Sequence, residues 1–420
     1  MISTNSVKFD QYKITELSNG VKIISEYLPH FRSVSLGIWV PVGSRNENEK
    51  INGITHLIEH LIFKGTKKRT SRDIAIEFDS IGAEYNAFTD KENCCIYADF
   101  IDTYLENCIE LLFDIITEPS FLTENIKTEK KVVIEEIKMV EDNPSENIMN
   151  HFYKAIFDGH PLSLPVLGTG KSLKSINKSI ILQYFNDNFN TGNMVISAAG
   201  NVKHEKLVDI VKRYTDNINN GTEKNIFNKL KPPQSEIMRK VPSNKTNSVY
   251  ICFGCQGCER DSDDRYPISL FTNLLGGSMS SRLFQKIREE EGLVYSIFSN
   301  NVQYIDTGVI LIYAASSPGN TDRILELIRN EIKDISKYGV KESELLVARE
   351  NLKGGIVLSF EDISSRMFRL GKGLLLDKNV LTINEVLKKI DNIQKNDIDD
   401  IVSRYINLDK MSLVLMGKIK

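Results

Sequence analysis

Gly53-Ile54-Thr55-His56-Leu57-Ile58-Glu59-His60-Leu61-Ile62-Phe63 is the stretch that decides how this chain is read. It holds two of the chain's six histidines, at spacing i, i+4, with a glutamate at i+3. On a helix this spacing stacks both imidazoles on one face, one turn apart. Two stacked imidazoles can share one Zn²⁺, and a neighbouring carboxylate can reach a metal-bound water. The pattern is His-x-x-Glu-His, the inverted form of the zincin helix motif. Advancing ~100° per residue from His56 places Glu59, His60 and Phe63 within ~60° of it. Ile54, Leu57, Ile58, Leu61 and Ile62 fall on the opposite side. Asn52-Gly53 offers a helix start and Gly65 a stop. The helix therefore buries an aliphatic face and aims its His-Glu-His face elsewhere. The competing reading is a helix with two incidental surface histidines.

A catalytic zinc needs a third protein ligand and one open position. The segment from Glu124 to Glu141 reads as a helix with Ile126, Val133, Ile137 and Val140 as its apolar stripe. Glu129 and Glu136 are seven apart, nearly two turns, and both fall inside that stripe. Glu135 falls outside it. A carboxylate on a core-facing stripe is costly unless it is paired or bound to metal. Either Glu129 or Glu136 is thus the third ligand, or the two form buried ion pairs with lysines.

The 420 residues predict two or more domains. Hydrophobic content of 41% and charged content of 26% are those of an ordinary globular protein. A net charge of −3 favours neither nucleic acid nor an anionic membrane as partner. No apolar run reaches the length of a membrane span. The first residues, Met1 to Lys8, carry neither a signal-peptide core nor an Arg-rich transit character, which makes cytoplasmic location the expectation.

The six cysteines are Cys94, Cys95, Cys108, Cys252, Cys255 and Cys258. Cys94 and Cys95 would point to opposite faces of a strand. Cys252-x-x-Cys255-x-x-Cys258 has cluster-like spacing but no nearby fourth thiolate or histidine. Reduced structural thiols are the expectation.

The chain reads as two copies of one unit. An offset of 217 places Ile176 on Ile393, Asn190 on Asn407, Met194 on Met411 and Gly200 on Gly417. Ser33 to Ile38 matches Ser248 to Phe253 at offset 215. The near-constant offset, about half the chain length, is the evidence for duplication. Residues 216–244 are polar, with Gly and a Pro pair, and read as a linker between a unit at 1–215 and one at 245–420. Each half mixes strands and long amphipathic helices in runs, which predicts an α+β fold of two homologous layered units. The second copy has no histidine where the first has its His-Glu-His helix, so the chemistry belongs to the first.

On these residues the chain resembles the pitrilysin/insulinase family of zinc peptidases, particularly its mitochondrial-processing-peptidase-like branch. The resemblance spans nearly the whole chain. It is carried by His56 to Thr66, Gly82 to Thr89, Glu129, Glu136, Gly159-His160-Pro161-Leu162 and Leu167-Gly168-Thr169. It implies one Zn²⁺ per chain held by His56, His60 and Glu136, with Glu59 as general base and Glu129 as a supporting carboxylate. It implies that Asn86, Ala87 and Phe88 belong to an edge strand onto which an extended peptide adds. It also implies that Arg288 and Tyr295, seven apart in the second half, bind the substrate backbone and the polarised carbonyl oxygen. The family builds a chamber from four such units, so a two-unit chain would need a second chain, as a homodimer or with a related partner. Processing relatives read a substrate arginine with an acidic pair four apart. Here those positions are Glu146 and Asn150, and half of the pair is missing. The expected activity is zinc-dependent endopeptidase. The alternatives are a non-catalytic core subunit of the same fold and a thiol-based redox or cluster protein.

Overall fold

The computed structural model of the chain describes residues 11–190, 192, 194–216, 237–243, 246–377 and 379–419. The first half runs β1 (Tyr12–Glu16), β2 (Lys22–Tyr27), β3 (Ser33–Val40), α1 (Ile54–Ile62), α2 (Ser71–Ser80), β4 (Glu84–Thr89) and β5 (Cys94–Ile101). It continues through α3 (Leu105–Thr117), α4 (Thr123–Asp142), α5 (Pro144–Ile156), α6 (Gly170–Ser175), α7 (Lys178–Asn188), β6 (Val195–Gly200) and α8 (His204–Thr215). The second half runs β7 (Met238–Pro242), β8 (Val249–Gly257), α9 (Arg265–Thr272), β9 (Val294–Gln303), β10 (Gly308–Ser316) and α10 (Thr321–Tyr338). It ends with α11 (Glu342–Ser359), α12 (Ile363–Leu376), α13 (Ile383–Asp391), α14 (Lys395–Tyr405) and β11 (Ser412–Gly417). The fold is α+β, as the runs of strand and helix pattern predict.

Two sheets result, ordered β1-β2-β6-β3-β5-β4 and β7-β11-β8-β10-β9. Beyond the extra β1 the orders correspond strand for strand. In each sheet one pair is parallel, β2 with β6 and β7 with β11, and the other pairs are antiparallel. The duplication extends to single atoms. Gly200 and Gly417 end β6 and β11 with φ of +119° and +118°. A Cβ on Gly200 would lie 2.3 Å from the Ser33 carbonyl oxygen, and one on Gly417 would lie 2.2 Å from that of Ser248. Only glycine satisfies both the backbone angle and that approach.

The chain divides into two compact units that cut across its halves. One comprises residues 1–135, 165–228 and 358–384; the other comprises 136–164, 229–357 and 385–420. The sequence predicts a division at 1–215, 216–244 and 245–420, whereas each half lends a helix to the other half's sheet. In the first unit Met367 and Leu370 of α12 pack into a core with Ile24, Trp39, Cys95, Val195 and Ala199. Gly371 admits the indole there, since a Cβ at that position would meet Trp39 Nε1 at 2.0 Å. In the second unit Ile148, Phe152 and Ile156 of α5 pack with Cys252, Leu311 and Val414. A helix's apolar stripe shows that it is covered but does not show which sheet covers it. Most of the expected linker, residues 217–236 and 244, lies outside the described residues. Its Met238–Pro242 part is β7, an edge strand paired only with β11. One-sided pairing lets such a strand stay polar, which is why it reads as linker. No helix among the described residues is long and apolar enough to cross a membrane.

Candidate active site

Helix α1 is built as its periodicity predicts. Ile54, Leu57, Ile58, Leu61 and Ile62 are fully buried, whereas His56, Glu59 and His60 lie on its partly open side. Gly53 caps it at φ +89°, and Gly65, at φ +126°, turns the chain away. Gly53 packs backbone to backbone on the Leu167-Gly168-Thr169 turn; a Cβ there would lie 2.6 Å from the Leu167 carbonyl oxygen. Those glycines of the family-like motifs are thus steric requirements of the helix start.

The His56 and His60 rings stack with centroids 4.7 Å apart. One donor atom from each of His56, His60 and Glu136 lies within 4.8 Å of the other two. Helix α4 carries Glu136 on the same continuous helix as Glu129. Glu129 is only 4% exposed. It takes His60 Nδ1 at 3.2 Å on Oε2 and Lys64 Nζ at 3.0 Å on Oε1. Glu135 is exposed and is not part of the group. The two glutamates that the stripe argument left open therefore take different positions: Glu136 joins the imidazoles and Glu129 holds one of them from behind. Two imidazoles and a carboxylate are a fitting donor set for zinc. Burial, reinforced by the neighbouring His60, pushes the His56 pKa down to about 4, which keeps its ring neutral at neutral pH as metal binding demands.

Glu59 Oε2 accepts a hydrogen bond from the Thr89 hydroxyl at the end of β4. Thr89 is given no role from sequence, although the alternation along β4 places it on the same face as Ala87. Tyr85, Ala87 and Thr89 share one face, where Tyr85 stacks on Phe78 at 4.0 Å and meets Phe63 at 5.5 Å. Asn86 and Phe88 take the other face. The Phe88 ring meets Trp39 at 5.7 Å and Phe368 at 5.8 Å, away from Glu59. Of the three strand residues singled out for substrate, then, Ala87 alone shares the face that carries Thr89 toward Glu59. Strand β4 is the sheet's edge, paired only with β5. The Ala87 N–H donates to Asn86 Oδ1 at 2.8 Å.

The remaining site residues lie in the second unit. Glu146 is exposed on α5 and Asn150 is half-buried. Arg288 is exposed on a π-helical turn, Phe284–Glu290, its guanidinium 4.8 Å above the Phe284 ring. Tyr295 is 64% exposed at the start of β9, its hydroxyl 2.9 Å from that of Ser317. His160, the histidine of the Gly159 to Leu162 motif, accepts the Leu162 N–H at 3.1 Å and caps a turn. Among the described residues, His56, His60 and Glu136 form the one group of His, Cys, Asp or Glu side chains close enough to hold a metal. The cysteines are free, and burial pushes the Cys255 thiol up to about 12 and Cys258 to about 11. Such thiols are inert at neutral pH.

Comparisons with known proteins show which family the chain resembles. Residues 22–170 match the model of the insulinase family, peptidase family M16, and residues 175–352 match that of the peptidase M16 inactive domain. The chain is 34% identical over 93% of its length, and 95% of the relative's, to the uncharacterized zinc protease YmxG of Bacillus subtilis. It is 32% identical to the uncharacterized zinc protease ML0855 of Mycobacterium leprae, covering 94% of this chain and 89% of that one. A protease from Helicobacter pylori has a crystal structure of the same fold, with a TM-score of 0.91 at 20% identity over 97% of this chain and 99% of that one. With its duplicated sheets, and its inverted histidine motif in the first copy alone, the chain belongs to the pitrilysin/insulinase family, peptidase family M16.

Proposed function

We propose that this chain is a zinc-dependent endopeptidase acting on peptides or unfolded segments. The observation that carries the reading is the convergence of His56, His60 and Glu136 beside a glutamate held by the edge strand. Zinc bound by these three residues would polarise the scissile carbonyl and acidify a water. The chain's own residues supply the rest. Strand β4 offers its free edge to an extended peptide, so that main-chain pairing aligns the substrate. Glu59, oriented by Thr89, takes a proton from the attacking water and delivers it to the leaving amine. Glu129 holds His60 by Nδ1, leaving Nε2 for the metal.

Arg288 and Tyr295 serve this chemistry in trans: the chain forms a dimer, and the second half of one subunit, which carries none of the three metal-binding residues, offers both side chains to the other subunit's peptide. Their exposure supports this reading. The peptide backbone would be bound by the guanidinium and the developing oxyanion by the phenol. The match of residues 175–352 to an "inactive domain" fits a second copy kept for this purpose. Metal analysis of the wild type and of His60→Ala, together with cleavage of fluorogenic peptides, tests the site. One zinc per wild-type chain, lost with activity in the variant, is expected. A metal-free, inactive wild type would favour the reading as a non-catalytic core subunit. Scattering that shows an active monomer would overturn the dimer.

A further inference from the structure

One short turn, Gly43 to Glu47, grips both the strand edge and the helix of the site. On one side it is fastened to the hairpin turn at 90–93 that joins β4 to β5. Arg45 N–H donates to the Lys91 carbonyl at 2.8 Å and Ser44 N–H to that of Asp90 at 3.3 Å. A Cβ on Gly43 would lie 2.2 Å from the Asp90 oxygen, so the two backbones touch. Arg45 and Glu92 form an ion pair whose side chains are 2% and 3% exposed. On the other side stands Glu47, also buried. Its Oε2 accepts from Gly53 N–H at 2.7 Å and Asn52 Nδ2 at 2.8 Å, and its Oε1 from Thr55 N–H at 2.9 Å.

The start of α1 lacks a side-chain cap of its own, because Gly53 occupies the cap position. The first N–H groups of a helix need acceptors, and a carboxylate is the strongest the chain can offer. Glu47 supplies it from six residues upstream. Burial raises its carboxyl pKa, while hydrogen bonds from Thr55, Gly53 and Asn52 oppose that rise. Thr55 adjoins His56, and Asp90 adjoins Thr89. We infer that Glu47 is a positioning residue: through this buried turn it sets helix α1, and with it His56, Glu59 and His60, against Thr89 and the edge of β4. This rests on the reading of α1 as the metal-binding helix. A helix end held by three convergent hydrogen bonds to one carboxylate has little freedom to turn or slide. An amide at the same place turns an NH₂ toward at least one donor and leaves it unmatched.

The test uses the full chain and three variants: Glu47→Gln, Glu47→Asp and Ser172→Ala. The last removes the 2.7 Å bond from Ser172 Oγ to the Asn52 carbonyl at the same helix end, without touching the carboxylate. Zinc affinity is measured by chelator competition, ligand geometry by the visible spectrum of the Co²⁺ form, and kcat and KM on a fluorogenic peptide. Glu47→Gln is expected to fold, to bind zinc at least ~10-fold more weakly, to show an altered Co²⁺ spectrum and to lose kcat with KM little changed. Glu47→Asp is expected to shift the same readouts less. Ser172→Ala is expected to lower Tm and leave zinc affinity unchanged. Wild-type zinc affinity and Co²⁺ spectrum in both Glu47 variants would overturn the inference, as would failure of both to fold, which makes Glu47 a stability residue only. A wild-type chain that binds no zinc would instead remove the proposed function itself, and with it this inference.

Discussion

His60 Nδ1 lies 3.2 Å from Glu129 Oε2, on the side of the ring away from Nε2. With the proton on Nδ1, the contact holds the tautomer whose lone pair lies on Nε2. Lys64, 3.0 Å from the other oxygen, balances the buried carboxylate. Glu129→Gln should therefore keep the fold and weaken zinc binding by ~10- to 100-fold, as read by chelator competition. Unchanged affinity would mean that the contact does not tune the ring.

Glu59→Gln preserves the shape of the side chain and its bond from Thr89 while removing the base. Zinc content should match the wild type, and kcat should fall by at least ~100-fold. Turnover close to wild type would place the base elsewhere.

Thr89→Val keeps the side-chain volume and removes the hydroxyl donor to Glu59. The expected result is a several-fold fall in kcat with KM and zinc content unchanged, since the carboxylate loses orientation and not identity. A change confined to KM would tie Thr89 to peptide pairing instead.

Gly53→Ala meets two obstacles. Its φ of +89° disfavours any side chain, and the new methyl would press on the Leu167 carbonyl at 2.6 Å. A loss of about 2 kcal/mol or more is expected in urea unfolding of the metal-free protein. Because α1 starts there, zinc affinity should fall too.

His204 offers a pH test away from the proposed metal site. Its Nδ1 lies 2.8 Å from the Ser25 hydroxyl and its Nε2 2.8 Å from that of Thr15. Burial lowers its pKa; the nearby Glu205 opposes this and Lys13 adds to it. With the folded pKa below the unfolded ~6.5, the unfolded chain binds the extra proton first. The stability from His204 is thus fully present above pH ~6.5 and is lost as pH falls through the folded value. Denaturant titrations from pH 7.5 down to 5 should show His204→Asn with a shallower decline than the wild type.

Much of the site was legible because it is local. His56, Glu59 and His60 lie within one turn and a half of one helix, and the aliphatic residues between them orient it without help from the rest of the chain. The stripe on α4 also marked Glu129 and Glu136 as carboxylates needing partners and set Glu135 aside. It was not able to rank the two, because both positions have the same periodicity. Their difference depends on what lies across from each, namely His60 and Lys64 for Glu129 and the pair of imidazoles for Glu136.

By itself the sequence determined the amphipathic build of the motif helix, the duplication and the α+β class, since each rests on residue type and spacing along the chain. Spacing left open which carboxylate meets the imidazoles, and only the resemblance pointed to Glu136; the tertiary structure alone decided that Phe88 turns away while Thr89 reaches Glu59, and that α5 and α12 each cover the other half's sheet. It also revealed Glu47 as the cap of the motif helix. These choices bring together groups that are often tens to hundreds of residues apart. Spacing along a chain shows that a polar group needs a partner and a stripe needs a cover, but which ones they find is settled by packing.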